Sequence, residues 1–267
     1  MAELIRFGID TQTAACADVV SNVFTAILDQ VSRWREELVR SVEANPPTTR
    51  TLDALIESLV LPALSEPDTA IIGAGFVATP GYLPEAYWHL AWWLGEQNSV
   101  GLETGAAAPT RRLETVTDPT SEQFRDYTNL EWWRVPERTR SPHITGPYVD
   151  YLCTDDYTLT VTMPVYSSGS LIGMVGVDSY VKKIESLLVP HLSEIRRTAT
   201  IVNASGRVIA SSDPHRAPGA ILRIAGLSEQ LHSWSASTNS DLLHAPLPGG
   251  KFILECPGTS LALVLES

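Results

Sequence analysis

Positive charge is scarce in this chain. Across 267 residues, 19 lysines and arginines stand against 31 aspartates and glutamates, for a formal net charge of −12 and an isoelectric point near 4.9. Such a surface repels phosphate backbones, so the chain is not expected to bind DNA, RNA or an anionic membrane directly. Cysteine is scarce as well. Cys16, Cys153 and Cys256 are odd in number, far apart and without metal-ligand spacing. They read as small apolar core residues, the usual case in a reducing compartment. The histidines His89, His143, His191, His215, His232 and His244 form neither H-x-x-x-H nor H-E-x-x-H, so no metal is expected. A G-x-S-x-G elbow and a P-loop are both missing. The paired carboxylates Asp155-Asp156 lie between strand patterns and read as solvated turn chemistry. No catalytic residue and no cofactor is therefore assigned. An enzyme stays open only through a constellation that spacing does not reveal.

Long apolar runs are also lacking. The N-terminus has neither a basic n-region nor an apolar h-region, and no stretch reads as long enough to cross a bilayer. The chain is therefore read as soluble and cytoplasmic, on the grounds that it starts at Met1 and finishes without a truncated helix. The alternative is that membrane segments were left off. Repeats, charge runs and a Pro/Gly/Ser-rich linker are absent, so one domain over residues 1–267 is expected.

What is present is a good supply of core. Hydrophobic residues make up 44% of the chain, enough to exclude disorder. Residues 13–43 form a long helical pattern, with Val20, Phe24, Ile27, Val31, Trp34, Leu38 and Val42 at alternating spacings of four and three. That stripe can pack on the domain's own sheet, pair with a second copy, or serve both. Asn45-Pro46-Pro47 ends the helix, and Thr51 is read as the cap of a second one. Thr69 to Ala78 reads as a strand. Its Gly73-Ala74-Gly75-Phe76-Val77-Ala78 imitates a dinucleotide fingerprint, but β-forming residues continue past the glycines. The glycines are read as leaving room for a ligand or a close-packed helix.

Ala86 to Gly95 reads as a strand with Trp88 and Trp92 on one face and Trp93 on the other. Residues 101–117, with Arg111, Leu113, Thr115 and Thr117 alternating, read as an edge strand, and Asp118-Pro119-Thr120-Ser121 as a helix start that carries Phe124, Tyr127 and Trp132 towards the sheet. Trp132-Trp133 should close that helix, and Gly146-Pro147-Tyr148-Val149-Asp150 should end a loop. Two strands then lead to Asp178, followed by a helix over Tyr180 to Ile195 and a hairpin around Ala204-Ser205-Gly206. A short helix at Ser228 to His232 and strands at Leu242–Leu247, Lys251–Glu255 and Ser260–Glu266 are expected to extend the same sheet.

The run from Trp132-Trp133 through Gly146-Pro147-Tyr148-Val149-Asp150 and Tyr157-Thr158-Leu159-Thr160-Val161-Thr162-Met163-Pro164-Val165 to Gly169-Ser170-Leu171-Ile172-Gly173-Met174-Val175-Gly176-Val177-Asp178 resembles the Cache family of PAS-like sensor domains. The likeness covers about residues 69–212. It implies an α/β (α+β) fold: a central antiparallel sheet of five or six strands, a long N-terminal helix, and a ligand pocket on one face. The expected layout is the helix at 13–43, a core at 69–212 and a C-terminal extension of the sheet at 213–267. The resemblance also implies a sensory function, signalling to a partner such as a transcription regulator, and makes a homodimer plausible through the N-terminal helix. The extracytoplasmic alternative is then a sensor domain cut from a membrane receptor. A pure dimerisation module without a ligand is a further alternative.

One subgroup of these sensors binds free amino acids through a pattern resembling R-x-W-Y, Y-x-D and a strand-ending D. Its arginine clamps the carboxylate, while its tyrosine and aspartates hold the ammonium. This chain matches with Trp132, Trp133, Tyr148, Asp150 and Asp178, but Leu130 stands at the arginine's place. Trp92 and Tyr127 are added as aromatic candidates. The ammonium half of the pattern is present and the carboxylate half is missing. The expected ligand is thus a small amine or quaternary ammonium compound, with an amino acid as the alternative.

Overall fold

Asp10 opens the longest element, α1 (Thr11–Ala44), by accepting the backbone N–H of Thr13 at 2.8 Å. That bond holds its carboxyl below the usual range. The computed structural model describes residues 10–98, 109–150, 156–235 and 244–266. Cys153, Asp155 and residues 101–108 of the expected edge region lie outside them. Every predicted stripe residue of α1, from Val20 to Val42, is buried within the single chain. The stripe is thus used in the chain's own packing, the first of the alternatives that the sequence left open. By length and composition α1 is also apolar enough to cross a membrane. The expectation that no stretch is long enough to cross a bilayer is corrected on that ground.

By its contacts the chain divides into two compact units, Leu28–Tyr180 and Met1–Ile27 with Val181–Ser267. The first unit holds α2 (Thr49–Leu64) and six antiparallel strands: β1 (Gly73–Ala78), β2 (Leu90–Leu94), β3 (Arg111–Arg112), β4 (His143–Val149), β5 (Tyr157–Ser167) and β6 (Ser170–Tyr180). They pair in the order β3-β2-β1-β6-β5-β4. The cap of α2 is Thr48 rather than Thr51, and the two bond reciprocally in a capping box. α2 packs on β1 and β2. There Asp53 receives His89 Nε2 and the Arg112 guanidinium, each at 2.8 Å. Arg112 lies over the Trp93 ring at 5.8 Å.

Several expected boundaries move. β2 begins at Leu90, so Trp88 precedes the strand. The edge strand is only Arg111–Arg112. Asp118 does not start a helix: its side chain accepts the Thr120 N–H and hydroxyl in a local turn. A 3-10 turn (Tyr127–Asn129), capped by Asp126, leads into α3 (Glu131–Thr139), so Trp132-Trp133 opens a helix instead of closing one. Gly146 to Val149 belongs to β4.

The second unit carries α4 (Val181–Ser193), β7 (Thr198–Val202), β8 (Val208–Ser211), α5 (Leu227–Ser235), β9 (His244–Leu247), β10 (Lys251–Cys256) and β11 (Leu261–Glu266). Its strands form their own sheet, β8-β7-β11-β10-β9. The last strands therefore do not extend the first sheet. β11 is buried at every position, the pattern of a central strand, and it takes β7 and β10 as neighbours. Cys16 and Cys256 are free and buried in this unit. Burial raises both thiols, Cys16 to about 11.

Candidate functional site

The register of the six-stranded sheet lines up one face in rows. One row runs Trp92, Gly75, Gly176 and Thr162; a neighbouring row runs Gly73, Asp178 and Thr160. Adjacent glycines leave a hollow in the middle of the sheet. A Cβ on Gly75 would lie 2.2 Å from the Ala91 carbonyl oxygen and 2.9 Å from the Trp92 ring. A Cβ on Gly176 would lie 2.6 Å from the Val161 carbonyl oxygen. The glycines that imitate a dinucleotide fingerprint thus let the Trp92 indole settle onto the backbone at the edge of the cavity it lines.

One wall comes from α3. Pro136 has no N–H to give to the Trp132 carbonyl four residues earlier. That carbonyl accepts the Thr162 hydroxyl at 2.7 Å instead. The helix start is thereby tied to β5, and the Trp132 indole is fixed beside the hollow. Behind it stand the two predicted residues that do not line the space. Tyr127 donates its hydroxyl to the Ala78 carbonyl at 2.7 Å, and its ring lies 5.3 Å from that of Trp133. Both are buried packing residues. Trp88 closes this aromatic group from outside the strand, 5.1 Å from Tyr127.

The polar side is a directed chain of hydroxyls. Thr160 donates to Asp178 Oδ1 at 2.6 Å. Having spent its proton there, it accepts from the Tyr148 hydroxyl at 2.8 Å. Tyr148 reaches it because the β4–β5 register shifts between Thr145 and Tyr148, across Gly146-Pro147. Gly146 takes φ +100°, and a Cβ there would lie 2.6 Å from the Thr158 carbonyl oxygen. Only glycine fits. Asp150 follows at the end of β4, buried. Asp178 is 1% exposed and lies inside β6, three residues before α4, so it does not sit at that helix's cap position.

Together Val77, Leu90, Trp92, Trp132, Tyr148, Asp150, Thr160, Thr162 and Asp178 enclose about 310 Å³, part of it open to solvent. The structure therefore brings together five predicted residues, Trp92, Trp132, Tyr148, Asp150 and Asp178. It leaves Trp133 and Tyr127 in the core behind them. Sequence reasoning missed Thr160 and Thr162. Their signal was present as the Thr158, Thr160, Thr162 alternation within an otherwise apolar strand.

Two carboxylates and no basic side chain stand among the described lining residues. Leu130, at the N-cap of α3, is exposed. Arg125 donates to the carbonyls of Glu122 and Phe124, and Arg134 is exposed. Neither arginine reaches in. A cavity of this kind suits a cation: aromatic faces attract it, and carboxylates and a phenol oxygen accept its N–H bonds. No group of three or more metal-ligating side chains occurs among the described residues.

Residues 108–186 match the family model described as methyl-accepting chemotaxis protein-like, first PDC sensor domain. That stretch includes α3, β4, β5 and β6, and so most of the pocket. No relative is found among curated proteins. Among solved structures, methyl-accepting chemotaxis protein X is 15% identical with a TM-score of 0.61, covering 100% of this chain and 98% of that one. The extracellular domain of the putative histidine kinase mmHK1S-Z2 is 14% identical with a TM-score of 0.56, covering 93% and 91%. The ligand-binding domain of the Pseudomonas fluorescens chemoreceptor CtaA, solved with L-isoleucine, is 14% identical with a TM-score of 0.53, covering 94% and 87%. The chain has the α+β, PAS-like fold of Cache-type sensor domains. The cytoplasmic placement expected from the sequence finds no support in these likenesses.

Proposed function

We propose that residues 1–267 act as one ligand-binding sensor domain of a membrane receptor, on its extracytoplasmic side, and that the pocket on the first sheet recognises a small amine or quaternary ammonium compound. The observation that carries this reading is the pairing of Asp178 and Asp150 with the Trp132 face and the Tyr148 phenol, with no basic side chain among the described lining residues. A carboxylate taking an ammonium contributes about 1.5–3 kcal/mol, and an aromatic face about 0.5–2 kcal/mol. A ligand carboxylate would lack the bidentate partner that an arginine supplies. The similar CtaA domain was solved with an amino acid, which keeps zwitterions in the comparison set. The likeness to chemotaxis proteins favours a receptor's signalling output over a transcription regulator as the partner.

A thermal-shift screen tests the reading. Primary amines and quaternary ammonium ions of graded size are set against neutral amino acids and simple carboxylates. At a hundred times its dissociation constant a bound ligand adds about 2.7 kcal/mol of stability, a rise of several degrees in a chain of this size. The reading requires that rise from cations alone. A rise with carboxylates, or with none of the cations, removes it.

A further inference from the structure

Within the pocket one polar group is not accounted for by the protein. Trp92 is 4% exposed, and its Nε1 is buried with no hydrogen-bond partner among the described residues. An indole nitrogen has only a donor to offer, and a buried donor left unmade is costly. Its position is defined by Gly73. A Cβ placed there would lie 2.9 Å from Trp92 Nε1 and 3.4 Å from Asp178 Oδ2. The indole N–H and the Asp178 carboxylate therefore converge over the same bare stretch of backbone, at the edge of the cavity that both residues line.

That juxtaposition selects the chemistry of whatever lies between them. An ammonium could donate to Asp178 but would present hydrogens to the indole N–H. A carboxylate could accept from the indole but would face the Asp178 charge. A neutral hydroxyl satisfies both, accepting from Trp92 and donating to Asp178. Resting on the amine reading above, we propose that Trp92 is a specificity-determining residue, and that the ligand is a short amino alcohol whose hydroxyl bridges Trp92 Nε1 and Asp178. Its cationic head lies against Trp132, within reach of the Tyr148 oxygen. Tyr148 has committed its own proton to Thr160 and so meets the head as an acceptor.

Matched pairs test this by calorimetry, because they hold size and charge constant. Ethanolamine is compared with n-propylamine, and choline with trimethyl(propyl)ammonium. For at least one head group the wild-type protein binds the hydroxylated member about tenfold tighter or more, although its partner is the more apolar molecule. Trp92→Phe collapses that ratio to within about threefold, whatever happens to the absolute affinities. In nitrogen–proton spectra the Trp92 indole resonance shifts with the hydroxylated member and not with its alkyl twin. Alkyl members that bind as well as their hydroxylated twins overturn the bridge and leave the amine reading standing. A ratio that survives Trp92→Phe overturns the role of Trp92. If no cation of either kind binds, the amine reading fails and this inference falls with it. The wild-type selectivity needs no variant, so the proposal can be refuted even if Trp92→Phe does not fold.

Discussion

Thr160→Val removes one oxygen from the middle of the hydroxyl chain and keeps the volume of the side chain. The loss is calculable from the geometry. Asp178 Oδ1 loses a donor at 2.6 Å, and the Tyr148 hydroxyl loses its acceptor at 2.8 Å. A hydrogen bond to a charged group contributes about 1.5–3 kcal/mol and a neutral one about 1 kcal/mol. Asp178 is 1% exposed, so water does not readily replace the missing donor. The variant should therefore lose about 2–4 kcal/mol of stability in the absence of any ligand. Urea unfolding followed by tryptophan fluorescence measures it, because every tryptophan except Trp234 lies in the unit that contains the pocket. A companion cycle with Asp178→Asn isolates the pair, and a coupling of at least about 1 kcal/mol is expected. A loss below about 0.5 kcal/mol, or additive single losses, would mean that the Tyr148–Thr160–Asp178 chain is not a structural unit.

Three further outcomes follow from the same geometry. Leu130→Arg places a guanidinium at the N-cap of α3, where the amino-acid sensors resemble one another in carrying arginine; titrations should then show amino acids gaining on amines by about tenfold or more. Val31→Asp puts a charge at a position with 0% exposure, so circular dichroism should report loss of fold; a folded monomer would instead favour the idea of α1 as a pairing helix. Cys16 and Cys256 should resist thiol reagents at pH 8 in the native protein and react after unfolding, as peptide mapping can check. Because burial raises both thiols, with Cys16 at about 11, the folded state holds their protons more tightly. Their contribution to stability is present below about pH 9 and is lost as the pH rises through the folded values.

The parts of the fold that local chemistry dictates could be read from the residues. The spacing of Val20 through Val42 gives α1, and the turn at Ser167-Ser168-Gly169-Ser170 gives the β5–β6 hairpin. Strand alternation correctly sets Trp92 against Trp93. Long-range pairing could not be read in this way. Nothing local tells β11 to choose β7 over a strand of the first sheet, although its unbroken apolar run marks it as central. Trp132-Trp133 misled because the start of α3 lacks a side-chain cap at Leu130; its anchor is a threonine thirty residues on. Gly146-Pro147 read as loop chemistry because a register shift inside β4 uses the same residues as a turn. For the site, the acidic and aromatic residues were found through the resemblance, while Thr160 and Thr162 stayed hidden as ordinary strand residues. Gly73 and Gly75 were seen to leave room, but the Trp92 ring they admit was already in the sequence.

The most direct test of the account is a calorimetric titration of the wild-type chain and of Asp178→Ala with the cation that gives the largest thermal shift. A carboxylate bonded to an ammonium contributes about 1.5–3 kcal/mol, so the substitution should weaken binding by about tenfold to a hundredfold, with the far-ultraviolet circular dichroism of the variant unchanged. Undiminished affinity in Asp178→Ala, or binding of a neutral or anionic compound at the same site, would contradict the cation-binding account.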